Sequence, residues 1–373
     1  MNLEFSEDQK FIQKNAREYL TEHSTLEVCR RVLESDEPYA QDVWKGVAEM
    51  GWLGAAVPEE YGGTGLGHLE LVLIAQEVGR ALAPIPFSSS VYLATEALLQ
   101  FGSDAQKKQW LPGLCSGERI GTFAAIEKLG DPELDEVDAT FAGGKLSGEK
   151  APVIDGDVAN LAVVLAKDGG GHSLVLVDLA GAGVRRAALE SFDPSRSQAR
   201  LSFDGADAEV LGEAGKGLAQ AEALLDRAAV MMGFEQIGGA ERALDVTREY
   251  TMGRYAFGRP IASFQALKHR MADMYAKNQI ALSNGYYAAW ALSTGNEELA
   301  LAACNVRVAA SDAFVLAAEE MIQMHGGVGY TWEFDCHLFY RRAKLLGLAL
   351  GSASAWREKL IRRLESTHAG AAA

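Results

Sequence analysis

A chain of 373 residues, 40.0 kDa and 48% hydrophobic is long enough for roughly two or three domains with cores of their own, so it needs no disulfide or metal staple to fold. Its 35 basic against 51 acidic residues give a formal charge of −16, which argues against a nucleic-acid-binding surface and against adhesion to anionic membranes. Cys29, Cys115, Cys304 and Cys336 show no CxxC spacing, so neither a disulfide framework nor a metal site is indicated, and a reducing cytoplasm fits. The opening MNLEFSEDQKFIQ has charges where a signal peptide needs an apolar run, and no stretch reads as a membrane span of roughly 18 apolar residues. A soluble, cytoplasmic protein is expected.

The first third reads as helices. Ser6 followed by Gln9 makes a capping-box start, after which Phe11, Ile12, Ala16 and Leu20 recur at helical spacing. Trp44, Val47 and Met50 continue that character up to PEEYGGTGLG, where Gly62, Gly63 and Gly65 suit either a tight turn or a close ligand approach. An apolar helix over 69–82 follows. A second capping box, Ser103 to Gln106, then starts a helix that Pro112 and Gly113 are expected to close. From about residue 119 the period changes: GTFAAI, NLAVVLAK, HSLVLVDL and QARLSF are short β-branched or alternating runs separated by Gly, Asp and Asn. Beyond Gly215 the pattern is helical again over 219–253, 264–292, 297–324 and 335–365, with an apolar stripe of Phe264, Leu267, Met271 and Met274. The expected architecture is mainly α with a central β domain: an N-terminal helical domain (1–118), a β domain (119–214) and a four-helix bundle (215–373).

Two clusters carry chemistry. In RYAFGRPIASFQ, Arg254 and Arg259 flank an aromatic–glycine pair, and Phe264 and Gln265 open a helix whose free N–H groups attract anions. The segment reads either as a phosphate site, with arginines able to bind oxygens in bidentate fashion, or as a helix–helix turn with solvated arginines. In QMHGGVGYTWEF, three glycines within four positions let backbone approach a pyrophosphate and Gln323 adds an amide; a helix C-cap is the more frequent explanation of such glycines. The segment before them is helical, so the strand that a Rossmann glycine loop requires is missing and a nicotinamide fold is disfavoured. His269 and His325 read as packing or capping groups, since no third ligand completes a metal set.

The chain as a whole resembles the acyl-CoA dehydrogenases. GWLGAAVPEEYGG, FGSDAQKKQWLPGLCSGE, RxxFGxPIxxFQ, QxHGGxGY and RxAK at 341–344 occur in the family's order over nearly the whole length. The resemblance implies an N-terminal helical domain, a middle β-barrel or sandwich and a C-terminal four-helix bundle, assembled as a tetramer with FAD between subunits. It makes Arg254, Phe257, Gln265, Gln323, Gly326 and Gly327 the residues that bind the pyrophosphate and adenine half of FAD. All are intact.

The flavin and base positions differ from the family. Ile126, Glu127 and Lys128 stand where a Thr-Glu-Pro stretch supplies a flavin-bonding threonine, and Pro152-Val153-Ile154 stand where an aromatic and a Thr or Ser contact the ring. The family's glutamate base corresponds to Leu350, and the alternative base position of some branches to Ala228. A placed base commonly supplies about 10²- to 10⁴-fold, so the double absence is a serious defect. Asp226 and Glu235 are the fallback carboxylates. No catalytic base and no metal ligand is therefore assigned.

The resulting expectation is flavin-dependent α,β-dehydrogenation of an acyl-CoA, with this chain as the FAD-clasping, base-lacking subunit of an α₂β₂ enzyme for bulky steroid side-chain substrates. A homologous subunit would supply the glutamate, and an electron-transfer flavoprotein or similar acceptor would take the electrons. The alternatives are a self-sufficient homotetramer with a displaced base and a non-catalytic assembly or binding homologue.

Overall fold

Reciprocal capping boxes open two of the leading helices. Gln9 N donates to Ser6 Oγ (3.2 Å) while Ser6 N donates to Gln9 Oε1 (2.9 Å), and Ser103 with Gln106 repeats the pair at 3.2 and 3.0 Å. The helices they start are α1 (Glu7–His23) and α6 (Asp104–Cys115); between them lie α2 (Leu26–Glu34), α3 (Gln41–Glu49), α4 (His68–Arg80) and α5 (Glu96–Phe101). The computed structural model describes residues 5–371. Pro112 does not close α6: the helix continues to Cys115 despite the N–H bond the proline cannot make, and Leu111, Leu114 and Cys115 are buried.

The β segment is one hydrogen-bonded mixed sheet. Its strands are β1 (Gly121–Ala124), β2 (Thr140–Ala142), β3 (Lys145–Ile154), β4 (Leu161–Asp168), β5 (Gly171–Asp178), β6 (Val184–Leu189), β7 (Gln198–Asp207) and β8 (Glu209–Leu211). The order is β6-β7-β3-β2-β4-β5-β8, with β1 added parallel to β4. Strand β4 is buried from Leu161 through Ala166, as its unbroken apolar run requires of a strand covered on both faces.

The C-terminal helices are α7 (Gly217–Gly253), α8 (Gln265–Thr294), α9 (Leu299–His325), α10 (Cys336–Leu348) and α11 (Ala353–Ala371), with a short hairpin of β9 (Tyr255–Ala256) and β10 (Arg259–Pro260) between α7 and α8. The helical stretch expected over 335–365 is thus two helices, parted where Gly351 takes φ +94°. By length and composition alone α9 could cross a membrane, but half of that stretch is buried in the protein, where α8, α10 and α11 pack on it. Its apolarity is that of a bundle core.

The chain divides into two units, Met1–Arg30 with Val72–Ala83 and Ala229–Ala373, and Arg31–Leu71 with Pro84–Ala228. In the first, α4 and α7 cross at backbone contact. A Cβ on Gly79 would lie 1.8 Å from Glu235 O, and one on Gly238 1.8 Å from Gln76 O, so each helix gives the other a glycine to press on. Gly238→Ala is therefore expected to destabilise the protein by about 2–3 kcal/mol or more through overpacking, whereas Gly347→Ala, which meets no neighbour within 4 Å, should be neutral or mildly stabilising. Paired urea denaturation curves decide it; equal midpoints for the two variants would refute the crossing.

Candidate functional site

The two sequence clusters are the loops at the ends of α7 and α9, and one contact holds them together. Tyr250, on the last turns of α7, stacks on His325, the final residue of α9, with ring centroids 4.1 Å apart and planes 22° apart. The Tyr250 hydroxyl also donates to His325 O (3.3 Å), and Phe334 abuts both rings edge-on. His325 bonds through Nδ1 to Met321 O (2.7 Å), and burial pushes its pKa below the usual histidine range despite that bond, which favours a neutral ring. The residue packs and caps, as its sequence context suggested.

From this junction the Arg254 loop runs outward. Arg254 N donates to Tyr250 O (2.9 Å) and Arg254 O accepts from Ile261 N (2.8 Å), pinning the base of the β9–β10 hairpin. Phe257 and Gly258 at its tip both have positive φ, +54° and +77°, the pattern of a two-residue type I′ turn. A phenylalanine there is strained by about 1–3 kcal/mol, and yet its ring is 96% exposed. Arg259 lies over the Phe264 ring at 4.0 Å. Phe264 is the N-cap of α8 and makes no side-chain cap bond, so the first turn of α8, beginning at exposed Gln265, keeps free N–H groups.

The second loop starts at exposed Gln323. Gly326 leaves the helix at φ +63°, and a Cβ on either Gly326 or Gly327 would meet nothing within 4 Å, so these two glycines are not there to make room for the protein itself. Gly329 is the opposite case: a Cβ there would sit 2.5 Å from Ile322 O. An exposed guanidinium, an uncapped helix N-terminus and open glycine backbone are what a pyrophosphate needs, so Arg254, Gln265, Gln323, Gly326 and Gly327 fit the nucleotide half of FAD and Phe257 offers an apolar cover.

Leu350, the residue expected at the family's base position, lies in the turn between α10 and α11. Leu350 is buried, its carbonyl accepting from Trp356 Nε1 (2.8 Å). Beneath the turn, fully buried Arg307 donates to Leu346 O (2.6 Å), to Gly351 O (3.4 Å) and to Gln236 Oε1 (2.8 Å). Burial pushes this guanidinium down to about 10, while the charge of Glu235 pulls the other way. Glu235 is itself fully buried, and its charge acts on Arg307. Nothing in the sequence reading singled out Arg307, although a lone arginine inside the apolar run CNVRVAASDAF was the available signal.

In the other unit Ala228 is fully buried and Asp226 nearly so. The neighbouring Arg227 turns to buried Glu96, which also bonds His68 (2.9 Å), and these partners hold the Glu96 carboxyl below its usual range against the cost of burial. The segments expected from the sequence to face the flavin make internal bonds. Glu127 accepts from Asp138 N (2.6 Å), Ala139 N (2.9 Å) and Lys150 Nζ (2.7 Å). Lys150, fully buried, also donates to Ala125 O (2.9 Å); burial pushes its amine down to about 8 although Glu127 opposes the shift. Next to Ile154, buried Asp155 accepts from Arg196 Nη2 (2.7 Å) and Ser89 Oγ (2.6 Å), and Arg196 Nη2 also donates to Ser88 Oγ (2.8 Å).

Residues 6–118 match the Acyl-CoA dehydrogenase, N-terminal domain family, and residues 215–365 the Acyl-CoA dehydrogenase, C-terminal domain family. The chain is 32% identical to acyl-CoA dehydrogenase IpdE2 of Mycobacterium tuberculosis over 96% of its own length and 97% of the relative's. Among solved structures it resembles the ChsE4–ChsE5 complex of the same organism, with a TM-score of 0.89, 29% identity, and coverage of 98% of this chain and 99% of the other. A variant of the steroid ACAD Tcur3481–Tcur3483 also gives a TM-score of 0.89 at 29% identity, covering 97% and 99% of the two chains.

The His325 environment sets a pH response. The unfolded chain takes up a proton near the usual histidine pKa of about 6.5, whereas folded His325 does so only at lower pH, as does His337, which burial also shifts down. Stability is therefore full above about pH 6.5 and declines as pH falls toward the folded-state values. Urea midpoints should drop between pH 7.5 and 5.5, and His325→Phe, which keeps a ring but loses the titration, should flatten part of that slope; an unchanged slope would remove His325 as its source.

Proposed function

Given that this chain belongs to the acyl-CoA dehydrogenase family, we propose that it is the FAD-clasping, base-lacking subunit of a heteromeric acyl-CoA dehydrogenase acting on bulky, steroid-type acyl thioesters. The family is FAD-dependent, and its reaction is an oxidation across a CH–CH bond. The observation that carries the reading is the contrast between the two ends of the cofactor site. Every nucleotide-binding position is kept and exposed, while Leu350 and Ala228, at both family base positions, are buried and apolar.

Bound FAD would supply a hydride acceptor for the β-carbon of the thioester. The Arg254 guanidinium and the first-turn N–H groups of α8 would neutralise its pyrophosphate charge, Gly326 and Gly327 would leave room for it at the backbone, and Gln323 would add an amide. The α-proton has no acceptor on this chain at the family positions. Of the fallback carboxylates, Glu235 is fully buried on α7, where its charge acts on Arg307, and Asp226 is buried on the same helix. A homologous subunit bearing the glutamate supplies the missing base, and an electron-transfer flavoprotein or similar carrier takes the electrons. The two-chain ChsE4–ChsE5 relative supports the heteromeric arrangement, and the steroid ACAD relative supports the substrate class.

The test is co-expression with a homologous glutamate-bearing chain, followed by flavin-to-protein stoichiometry and anaerobic titration with a steroid-side-chain acyl-CoA. The pair is expected to hold one FAD for every two chains and to bleach, and the chain alone to retain little flavin and show no reduction. Arg254→Ala should lower FAD retention in the pair by roughly tenfold or more, the scale of a lost charge-assisted bond. Flavin reduction by the chain alone would overturn the proposal.

A further inference from the structure

The stretch that links α9 to α10 is held at both ends, and the Tyr250–His325 stack accounts for only one of them. The other end is built around Trp332. His337 lies flat on the indole, with ring centroids 4.4 Å apart and planes 11° apart. The guanidiniums of Arg30 and Arg341 stand over the same ring, 5.8 and 5.6 Å from its centroid. Arg30, on α2, also donates to Asp335 Oδ1 (2.7 Å), which ties that helix to the start of α10. All of these residues belong to the first unit.

The surroundings of His337 suit a neutral ring and oppose a charged one. Its Nε2 stands 3.3 Å from Trp332 O and 3.5 Å from Arg30 Nη2, while its Nδ1 is buried with no hydrogen-bond partner among the described residues. A ring with its hydrogen on Nε2 donates to Trp332 O and leaves only a lone pair on Nδ1. A second proton would therefore create a buried N–H without an acceptor. It would also add a third cation beside Arg30 and Arg341, against the one facing carboxylate of Asp335; Glu333, exposed on the same stretch, acts on Arg30. Burial, joined by the two arginines, holds the His337 pKa below the usual histidine range, with the Trp332 carbonyl and Asp335 pulling the other way.

We propose that Arg30, Trp332, His337 and Arg341 form an acid-opened latch: proton uptake by His337 drives its ring from the two arginines, frees Trp332 and loosens the glycine turn. The backbone carries the movement. Thr331, next to Trp332, donates from N (3.1 Å) and from Oγ1 (3.0 Å) to Val328 O, inside the turn that Gly326 and Gly327 begin. Because the folded ring resists a proton that the released ring accepts, the latch is closed above about pH 6.5 and is lost as pH falls toward the folded-state value. Its effect on the cofactor rests on the reading that this turn holds the nucleotide half of FAD; the latch itself needs no cofactor.

Hydrogen exchange of the amides in 326–336, corrected for the intrinsic effect of pH on exchange, reads the latch in the chain alone. Between pH 7.5 and 5.5 it should rise by up to about tenfold, the linkage ratio for one histidine whose proton is refused in the closed state. His337→Phe, which keeps a stacking ring and loses the titration, should remove most of that rise, the remainder being the share of His325. Trp332→Leu, at a position 47% exposed, should exchange fast already at pH 7.5 and tests the latch even if the phenylalanine variant does not fold. In the co-expressed pair, FAD release followed by flavin fluorescence should accelerate over the same pH range, and less with His337→Phe. No rise in exchange, a rise undiminished by His337→Phe, or slow exchange of Trp332→Leu at pH 7.5 overturns the latch and leaves the nucleotide reading standing. A rise that His337→Phe removes, with flavin release indifferent to pH, overturns instead the placing of the nucleotide on this turn.

Discussion

The Tyr250–His325 stack is the contact from which the candidate site is built. The Arg254 hairpin and the Gln323–Gly327 turn are far apart in sequence, and each is anchored to a different long helix. A ring pair at 4.1 Å, reinforced by a hydroxyl-to-carbonyl bond, fixes the end of α7 against the end of α9. The hairpin leaves α7 four residues later, and the glycine turn begins at the next residue after His325. Both therefore inherit their placement from one buried junction, and the first turn of α8 follows because the hairpin delivers the chain to it. The lowered basicity of His325 belongs to the same design: an uncharged ring can be buried against Tyr250 and Phe334 without the penalty of an unpaired cation.

Buried cations recur through the structure, each settled differently. Lys150 is held by one carboxylate and one carbonyl, Arg196 by Asp155 and a serine, and Arg307 by two carbonyls and an amide oxygen. In each case the charge fastens irregular backbone that regular secondary structure cannot secure. Two of the three lie at segments expected from the sequence to face the flavin, and the third lies under the turn expected to carry the base.

Much of this was legible in the sequence, for identifiable reasons. The capping boxes at Ser6 and Ser103 were readable because side-chain and backbone partners sit three residues apart, and the strands because their apolar period is two. The break at 349–352 was missed because LLGLALGS is apolar throughout; only the positive φ of Gly351 reveals the turn, and glycine occurs on both sides of such boundaries. Pro112 misled because the helix runs on through Gly113 to Cys115, burying Leu114 and Cys115 despite the one bond the proline cannot make. The candidate nucleotide-binding positions were visible as motifs, but their common anchor was not. Tyr250 and His325 are distant in the chain, and nothing local marks two aromatic side chains as stacking partners. Arg307 and the Arg30–Trp332 contact escaped notice for the same reason.

Arg307 also bears on what a carboxylate in this turn could do. The turn that carries Leu350 closes over a permanent positive charge, bonded to carbonyls on either side of that residue. A glutamate introduced at 350 would arrive within one residue of a desolvated guanidinium, which favours the ionised carboxylate and weakens it as a proton acceptor. The wiring that secures the turn would thus blunt the basicity of any acid placed on it.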